Sequence, residues 1–249
     1  MSLARAGWRL ALVDLPGESA DSLAPVVDEA RTFGGDALIA SFDVRDAAGW
    51  NSLHGRLRHD WQALDLLVNS AGVGATGEVG SLPEQQWRRV IDTNLIGTAL
   101  GCETFLPWLR EHPVQSHLVN IASIAGILAP PSMAAYSASK AGVIALSESI
   151  AAETGRRRPG VTVVCPGFFR SGLLDSWHFS SAIEVREARR RMAAARWSSE
   201  SVAREVLAAV RRNRRYVVVG HQARWLWRLK RLAPRGTTAL VGAIYRRLR

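Results

Sequence analysis

The stretch "LDLLVNSAGVGATG" (64–77) decides how the rest of the chain is read. Its first half is a near-continuous apolar run, the mark of a parallel strand covered on both faces. Its second half fits G-x-G-x-x-G at 72–77, the spacing of a dinucleotide-binding turn. Such a turn works only after the first strand of its unit and directly before a helix, whose free amides then face a pyrophosphate. Here "EVGSLP" follows, with Gly80 and Pro83 interrupting. The next helix is expected after Ser81, with Pro83 in its first turn. No acidic residue closes a paired strand about twenty residues on. The loop therefore reads as a glycine-rich connection at a strand's carboxyl end, still able to line a ligand crevice.

Other apolar runs resemble the first: "WRLALVD" (8–14), "DALIASFDV" (36–44), "SHLVNIAS" (116–123), "VTVVCPG" (161–167) and "YVVVG" (216–220). Helix patterns lie near 19–33, 46–61, 84–111, 134–155 and 199–213. This alternation predicts an α/β fold, a doubly wound parallel sheet in a single Rossmann-like domain. The stretch 170–197 has no strand pattern and is long for a connection, as lids over sites often are. Before Asp14, "SLARAG" reads as the last turns of a helix stopped by Gly7. Only thirteen residues precede Asp14, so the first strand and its glycine loop are expected to be missing.

The 249 residues are 47% hydrophobic, enough for one sizeable core. No run is long and apolar enough for a membrane span, and the start lacks a signal peptide's apolar stretch. Cys102 and Cys165 read as buried free thiols in a reducing, cytoplasmic compartment. No Cys/His cluster has metal-ligand spacing, so no metal site is expected. Net charge is +10, and residues 186–249 hold 18 basic against 3 acidic side chains. Residues 1–220 are assigned to the Rossmann-like domain and 221–249 to a basic amphipathic tail. In "QARWLWRLKRLA" (222–233), Trp225, Leu226, Leu229, Leu232 and Ala233 share a face. Further on, Leu240, Val241, Ile244, Tyr245 and Leu248 are expected to point inward. Two occupants stay open for these faces: an anionic membrane surface, or the body or a partner subunit. No RNA or DNA module accompanies the charge, which argues against nucleic acid.

"YSASK" sets Tyr136 and Lys140 one helical turn apart on one face. With three tyrosines and two lysines in the chain, that spacing is a coincidence of about 2%. Ser123 ends a strand just upstream, where parallel sheets bind ligands. Pro166 and Gly167 end the following strand.

Taken in order, "VDL" (13–15), "DV" (43–44), "NSAG" (69–72), "IDTNLIGT" (91–98), "NIASIAG" (120–126), "YSASK" (136–140) and "CPGFFRSGL" (165–173) resemble the short-chain dehydrogenase/reductase superfamily over about residues 3–220. Ser70 stands where the family usually has a second Asn. The resemblance implies an NAD(P)-dependent oxidoreductase interconverting a secondary alcohol and a ketone. Tyr136 would be the acid–base, with Lys140 lowering its pKa and holding the nicotinamide ribose. Ser123 would bind the reacting oxygen, and Asn94 would hold a water in a proton relay. Asp14 would bind the adenosine ribose and favour NAD over NADP. Asp43 and Val44 would flank the adenine, Asn69, Ala71 and Gly72 would pass beneath the cofactor, and Pro166 and Gly167 would border the nicotinamide. The missing loop implies weak NAD binding. Either the true start lies upstream, or the chain is a cofactor-incompetent relative acting as a membrane-associated or scaffolding protein. Trp177, His178 and Phe179 suit a lipophilic substrate. A homo-oligomer built on the helices at 84–111 and 134–155 is also implied.

Overall fold

The computed structural model describes residues 2–17, 21–155 and 158–247. The expected helix onset near 19, and Leu248, lie outside them. The six anticipated strands all form: β1 (Leu10–Asp14), β2 (Ala37–Ser41), β3 (Leu66–Asn69), β5 (His117–Ile121), β6 (Gly160–Pro166) and β8 (Tyr216–Val219). Two short strands join them, β4 (Gly74–Ala75) and β7 (Trp177–His178). The α/β class and the parallel, doubly wound arrangement are those expected. The sheet, however, comes in two pieces. One is the parallel pair β1–β2, and the other runs β3–β5–β6–β8, also parallel throughout. Among the described residues no strand lies between β1 and β3.

The helices explain why both pieces hold together. On one face lie α2 (Ala47–Asp60), α4 (Gly97–Glu111) and α6 (Ala134–Thr154). Trp50, Leu57, Phe105, Leu109 and Ile150 of these helices form one core with Ala11 and Val13 of β1 and Leu67 of β3. The helix layer thus bridges the gap in the sheet. On the other face, α1 (Ala24–Thr32) packs Val27 and Ala30 on Leu10 and Leu12. Separately, α8 (Ser199–Arg211) packs Val202 and Val206 on Leu66 and Val119. Here the covering is split like the sheet.

Local detail corrects several expectations. The helix after the glycine loop, α3, runs Glu84–Ile91 with Pro83 as its N-cap. Pro83 has no N–H to leave unpaired there. The single helix expected over 84–111 is interrupted by a π-turn at Asp92–Ile96, where Gly97 N–H reaches the Asp92 carbonyl. "SLARAG" is only a 3₁₀ turn, Ala4–Ala6, but Gly7 does stop it at φ 77°. The stretch 170–197 is not strandless: β7 pairs with β4, and α7 (Ala182–Ala193) follows.

The tail forms α9 (His221–Leu232) and α10 (Pro234–Arg247). Its apolar residues do not all turn inward. α9 docks through Ala223 and through Trp227, which stacks on Tyr216 at 6.0 Å. That face leaves Trp225 60% and Leu232 85% exposed, and on α10 Leu240 and Ile244 are exposed too. The cysteines are free and buried, as expected.

Candidate active site

α5 (Ala125–Leu128) and α6 follow β5, so Ser123, Tyr136 and Lys140 meet at the carboxyl edge of the sheet. All three are buried. Burial pushes the Tyr136 phenol up to about 12, while its hydrogen bond with Ser123 pulls the other way. The Ser123 oxygen also accepts the Ala125 N–H at 3.1 Å, so its hydroxyl is held in place. Lys140 Nζ lies 5.9 Å from the Tyr136 ring centroid and donates to the Ile121 carbonyl at 2.8 Å. Burial pulls its ammonium down to about 8. Lys140 was expected to lower the Tyr136 pKa. In this structure the larger effect on the phenol is its loss of solvent.

Asn94 sits fully buried in the π-turn. Its Oδ1 accepts Val73 N–H at 2.8 Å, and its Nδ2 donates to Val73 O and Ser139 Oγ, both at 2.9 Å. The side chain therefore clamps the loop after β3, and its amide groups are used up in doing so. Gly72 allows this closeness, since a Cβ there would stand 3.3 Å from both Asn94 Oδ1 and Lys140 Nζ.

A cavity of about 1800 Å³ runs along this edge, lined by Asp14, Asp43, Val44, Ala71, Gly72 and Pro166 besides Tyr136 and Lys140. Asp14 ends β1, and its carboxylate accepts Leu15 N–H at 2.8 Å. Asp43 is gripped by Arg45 through contacts of 2.6 to 3.0 Å, which hold its carboxyl below the usual range. Arg45 escaped the sequence reading, although an Arg two residues after a turn Asp is a plausible partner for it. Asn69 and Gly167 do not line the cavity. Asn69 donates to Asn120 Oδ1 at 2.9 Å, and a Cβ on Gly101 would stand 2.5 Å from its Oδ1. Gly167 N–H turns to the Val219 carbonyl.

The glycine loop has another task than cradling phosphate. Gly74 and Ala75 pair with Trp177 and His178. A Cβ on Gly74 would fall 2.3 Å from the Trp177 ring, so glycine is what lets the indole settle. That ring lies 4.9 Å from Tyr136 and covers it. Thr76 Oγ1 donates to Glu184 at 2.8 Å, and Arg89 to the Ser176 carbonyl at 2.7 Å, fastening the segment down. Val73, Leu82, Met133 and Trp177 surround the phenol with apolar surface. From α10, Tyr245 OH donates to Glu78 Oε1 at 3.1 Å and receives Ser132 Oγ at 2.6 Å. Ser132 itself holds a left-handed φ of 60°, a conformation that needs such support.

Among the described residues, no group of three or more His, Cys, Asp or Glu gathers to hold a metal ion, and no helix is long and apolar enough to cross a membrane. The family model for short chain dehydrogenases matches residues 1–179. A "Probable oxidoreductase EphD" of Mycobacterium tuberculosis is 28% identical over 242 residues; this chain aligns over 94% of its own length but spans 40% of that protein. A "3-oxoacyl-[acyl-carrier-protein] reductase FabG" of Staphylococcus aureus is 33% identical over 177 residues, covering 71% of this chain and 70% of its own. Among solved structures, a short-chain dehydrogenase/reductase from Burkholderia phymatum in complex with NAD superposes with a TM-score of 0.84 at 28% identity, over 92% of this chain and 85% of that one. The match to the family model, joined to the buried Ser–Tyr–Lys cluster at the sheet's carboxyl edge, establishes that this chain belongs to the short-chain dehydrogenase/reductase family.

Proposed function

We propose that the chain is an NAD-dependent oxidoreductase that interconverts a lipophilic secondary alcohol and its ketone. The observation that carries this reading is the contact of Ser123 with Tyr136, one turn from Lys140, at the wall of the large cavity. The residues present suit a nicotinamide cofactor in part. Asp14 would hold the adenosine ribose and disfavour a 2′-phosphate. Asp43 and Val44 would flank adenine, and Ala71 and Gly72 would pass beneath the centre. Pro166 would border the nicotinamide, and Lys140 would reach its ribose. When bound, NAD supplies the hydride chemistry.

The chain's own residues do the rest. With its pKa near 12, Tyr136 is a neutral phenol at physiological pH and can give its proton to a ketone oxygen. The Ser123 hydroxyl donates to the same oxygen as negative charge develops on it. Lys140, near 8, titrates where it can return a proton to the phenol. Asn94 belongs to this relay as a positioning residue, since its side chain fixes Val73 and Ser139. Trp177, Met133 and Leu82 exclude water and select an apolar substrate.

Calorimetry with NADH, and NADPH as control, tests this reading. Micromolar NADH binding supports it, and no binding by folded protein refutes it. The tail's exposed Trp225, Leu232, Leu240 and Ile244, set among arginines, suit an anionic membrane surface. Co-sedimentation with phosphatidylserine vesicles at low salt tests that, and absence of binding rejects it.

A further inference from the structure

The last two helices meet around a cleft whose charge is of one sign. Residues 206–249 hold twelve Lys and Arg and no Asp or Glu. Three of these cations, Lys230 on α9 and Arg235 and Arg246 on α10, line a cleft of about 540 Å³ between the helices. Thr238, Ala239 and Gly242 lie between them. Positions 235, 238, 239, 242 and 246 follow helical spacing, so they share one face of α10. That face is small in the middle and cationic at both ends. The carboxylate that meets α10, Glu78, takes the Tyr245 hydroxyl. Among the described residues no acidic side chain lines the cleft.

Local contacts hold the cations there. Lys230 is half-buried, and its Nζ donates to Thr238 Oγ1 at 2.8 Å. The proton of that hydroxyl goes to the Pro234 carbonyl at 3.0 Å. The ammonium therefore crosses from α9 to α10 and keeps two N–H groups to give. Arg246 folds back along its helix, since a Cβ on Gly242 would stand 3.3 Å from its guanidinium. Pro234 opens α10 at the same corner, so the positive end of the helix dipole adds to the field. Like charges held together repel, and a bound anion relieves them. A carboxylate offers one negative charge. A phosphate monoester offers nearly two, with three oxygens that match forked guanidinium groups. The volume falls within the range of about 300–1,000 Å³ of small-molecule sites, which leaves room for what the phosphate is attached to.

We propose that this cleft is a binding site for one phosphate monoester, held by Lys230, Arg235 and Arg246. The phosphate belongs to a soluble phosphorylated compound or to a lipid headgroup. The site is independent of the oxidoreductase reading, and only its lipid form rests on the membrane reading of the tail.

Calorimetry of the full chain with inorganic phosphate at low salt tests the soluble form. Co-sedimentation with vesicles of phosphatidic acid, against phosphatidylserine at equal surface charge, tests the lipid form. Lys230→Gln/Arg235→Gln/Arg246→Gln should weaken binding at least about tenfold. Gly242→Leu keeps every charge and suits a helix, but takes the place of the Arg246 guanidinium, and should weaken it at least about fivefold. Arg228→Gln/Arg231→Gln/Arg247→Gln removes as many charges from the same helices outside the cleft, and should change it less than about threefold. Saturable phosphate binding with this pattern supports the site and names a soluble ligand. A preference for phosphatidic acid that Gly242→Leu abolishes supports it and names a lipid. The absence of both overturns the proposal. Vesicle binding that Gly242→Leu leaves intact, and that both triple variants lower equally, also overturns it, while leaving the tail's attraction to anionic membranes in place.

Discussion

Replacing Lys140 by methionine should make the folded protein more stable at neutral pH while removing its activity. Lys140 is 4% exposed, and its one hydrogen bond is to the Ile121 carbonyl. Burial lowers its pKa from 10.5 to about 8, a gap worth about 3 kcal/mol. The unfolded chain binds the proton more tightly, so between these values it carries more protons than the folded one. Stability of the parent protein therefore rises with pH from about 8 to about 10.5, and below 8 the full cost is present. Methionine has similar length and no charge. Its substitution leaves the Ile121 carbonyl without its lysine partner, a constant cost of about 1–3 kcal/mol at every pH. Urea denaturation of both proteins at pH 7, 8, 9, 10 and 10.5 separates the two effects. The stability of Lys140→Met minus that of the parent should fall by about 3 kcal/mol across this range. A difference that stays flat with pH would mean that Lys140 is solvated or paired with a counter-charge, and would refute the account of the site as a desolvated cluster.

The other expectations concern its neighbours. Tyr136→Phe should lower kcat/KM for NADH-driven ketone reduction by at least about 100-fold; a loss below about threefold would place the proton donor elsewhere. Trp177→Ala should move the Tyr136 phenol from about 12 toward its ordinary 10.0, read as tyrosinate absorbance at 295 nm against a Tyr136→Phe background. Gly74→Ala should give a similar change by another route, since the added methyl occupies the place of the Trp177 ring; an unchanged titration would show that β7 does not depend on that contact. Asn94→Ala removes three hydrogen bonds and should cost about 2–4 kcal/mol, measured by denaturant unfolding; a cost under about 0.5 kcal/mol would mean that the clamp contributes nothing.

What could be read from the sequence was what local pattern determines. Apolar runs located all six long strands, because a strand buried on both faces has little freedom in composition. Tyr136 and Lys140 were legible because helical spacing alone puts them on one face. The hydrogen bond of Asn69 was not, because its partner Asn120 and the glycine that makes room for it, Gly101, lie far away in the chain. The same holds for the phenol. A nearby lysine suggests a lowered pKa, but the outcome depends on Trp177, brought over the ring by the pairing of β4 with β7. The glycines at 72 and 74 gave a phosphate-loop pattern for a different reason. One lets Lys140 and Asn94 approach the backbone, and the other makes room for an indole. The exposed faces of the tail also followed from tertiary docking, since Trp227 rather than Trp225 found the body.

Tyr245 ties the last helix to the loop that precedes Tyr136, through Ser132 and Glu78. α10 has 14 residues, so it is a lever of about 20 Å with its far end beside the loop before Tyr136. Its outer face carries Leu240 and Ile244, while its inner hydroxyl steadies a residue in a strained conformation four positions before Tyr136. Anything that seats on the outer face thus pulls on the same rod that holds Ser132. Trimming the chain at Ala233 would leave the sheet intact and take away the brace on the loop before Tyr136.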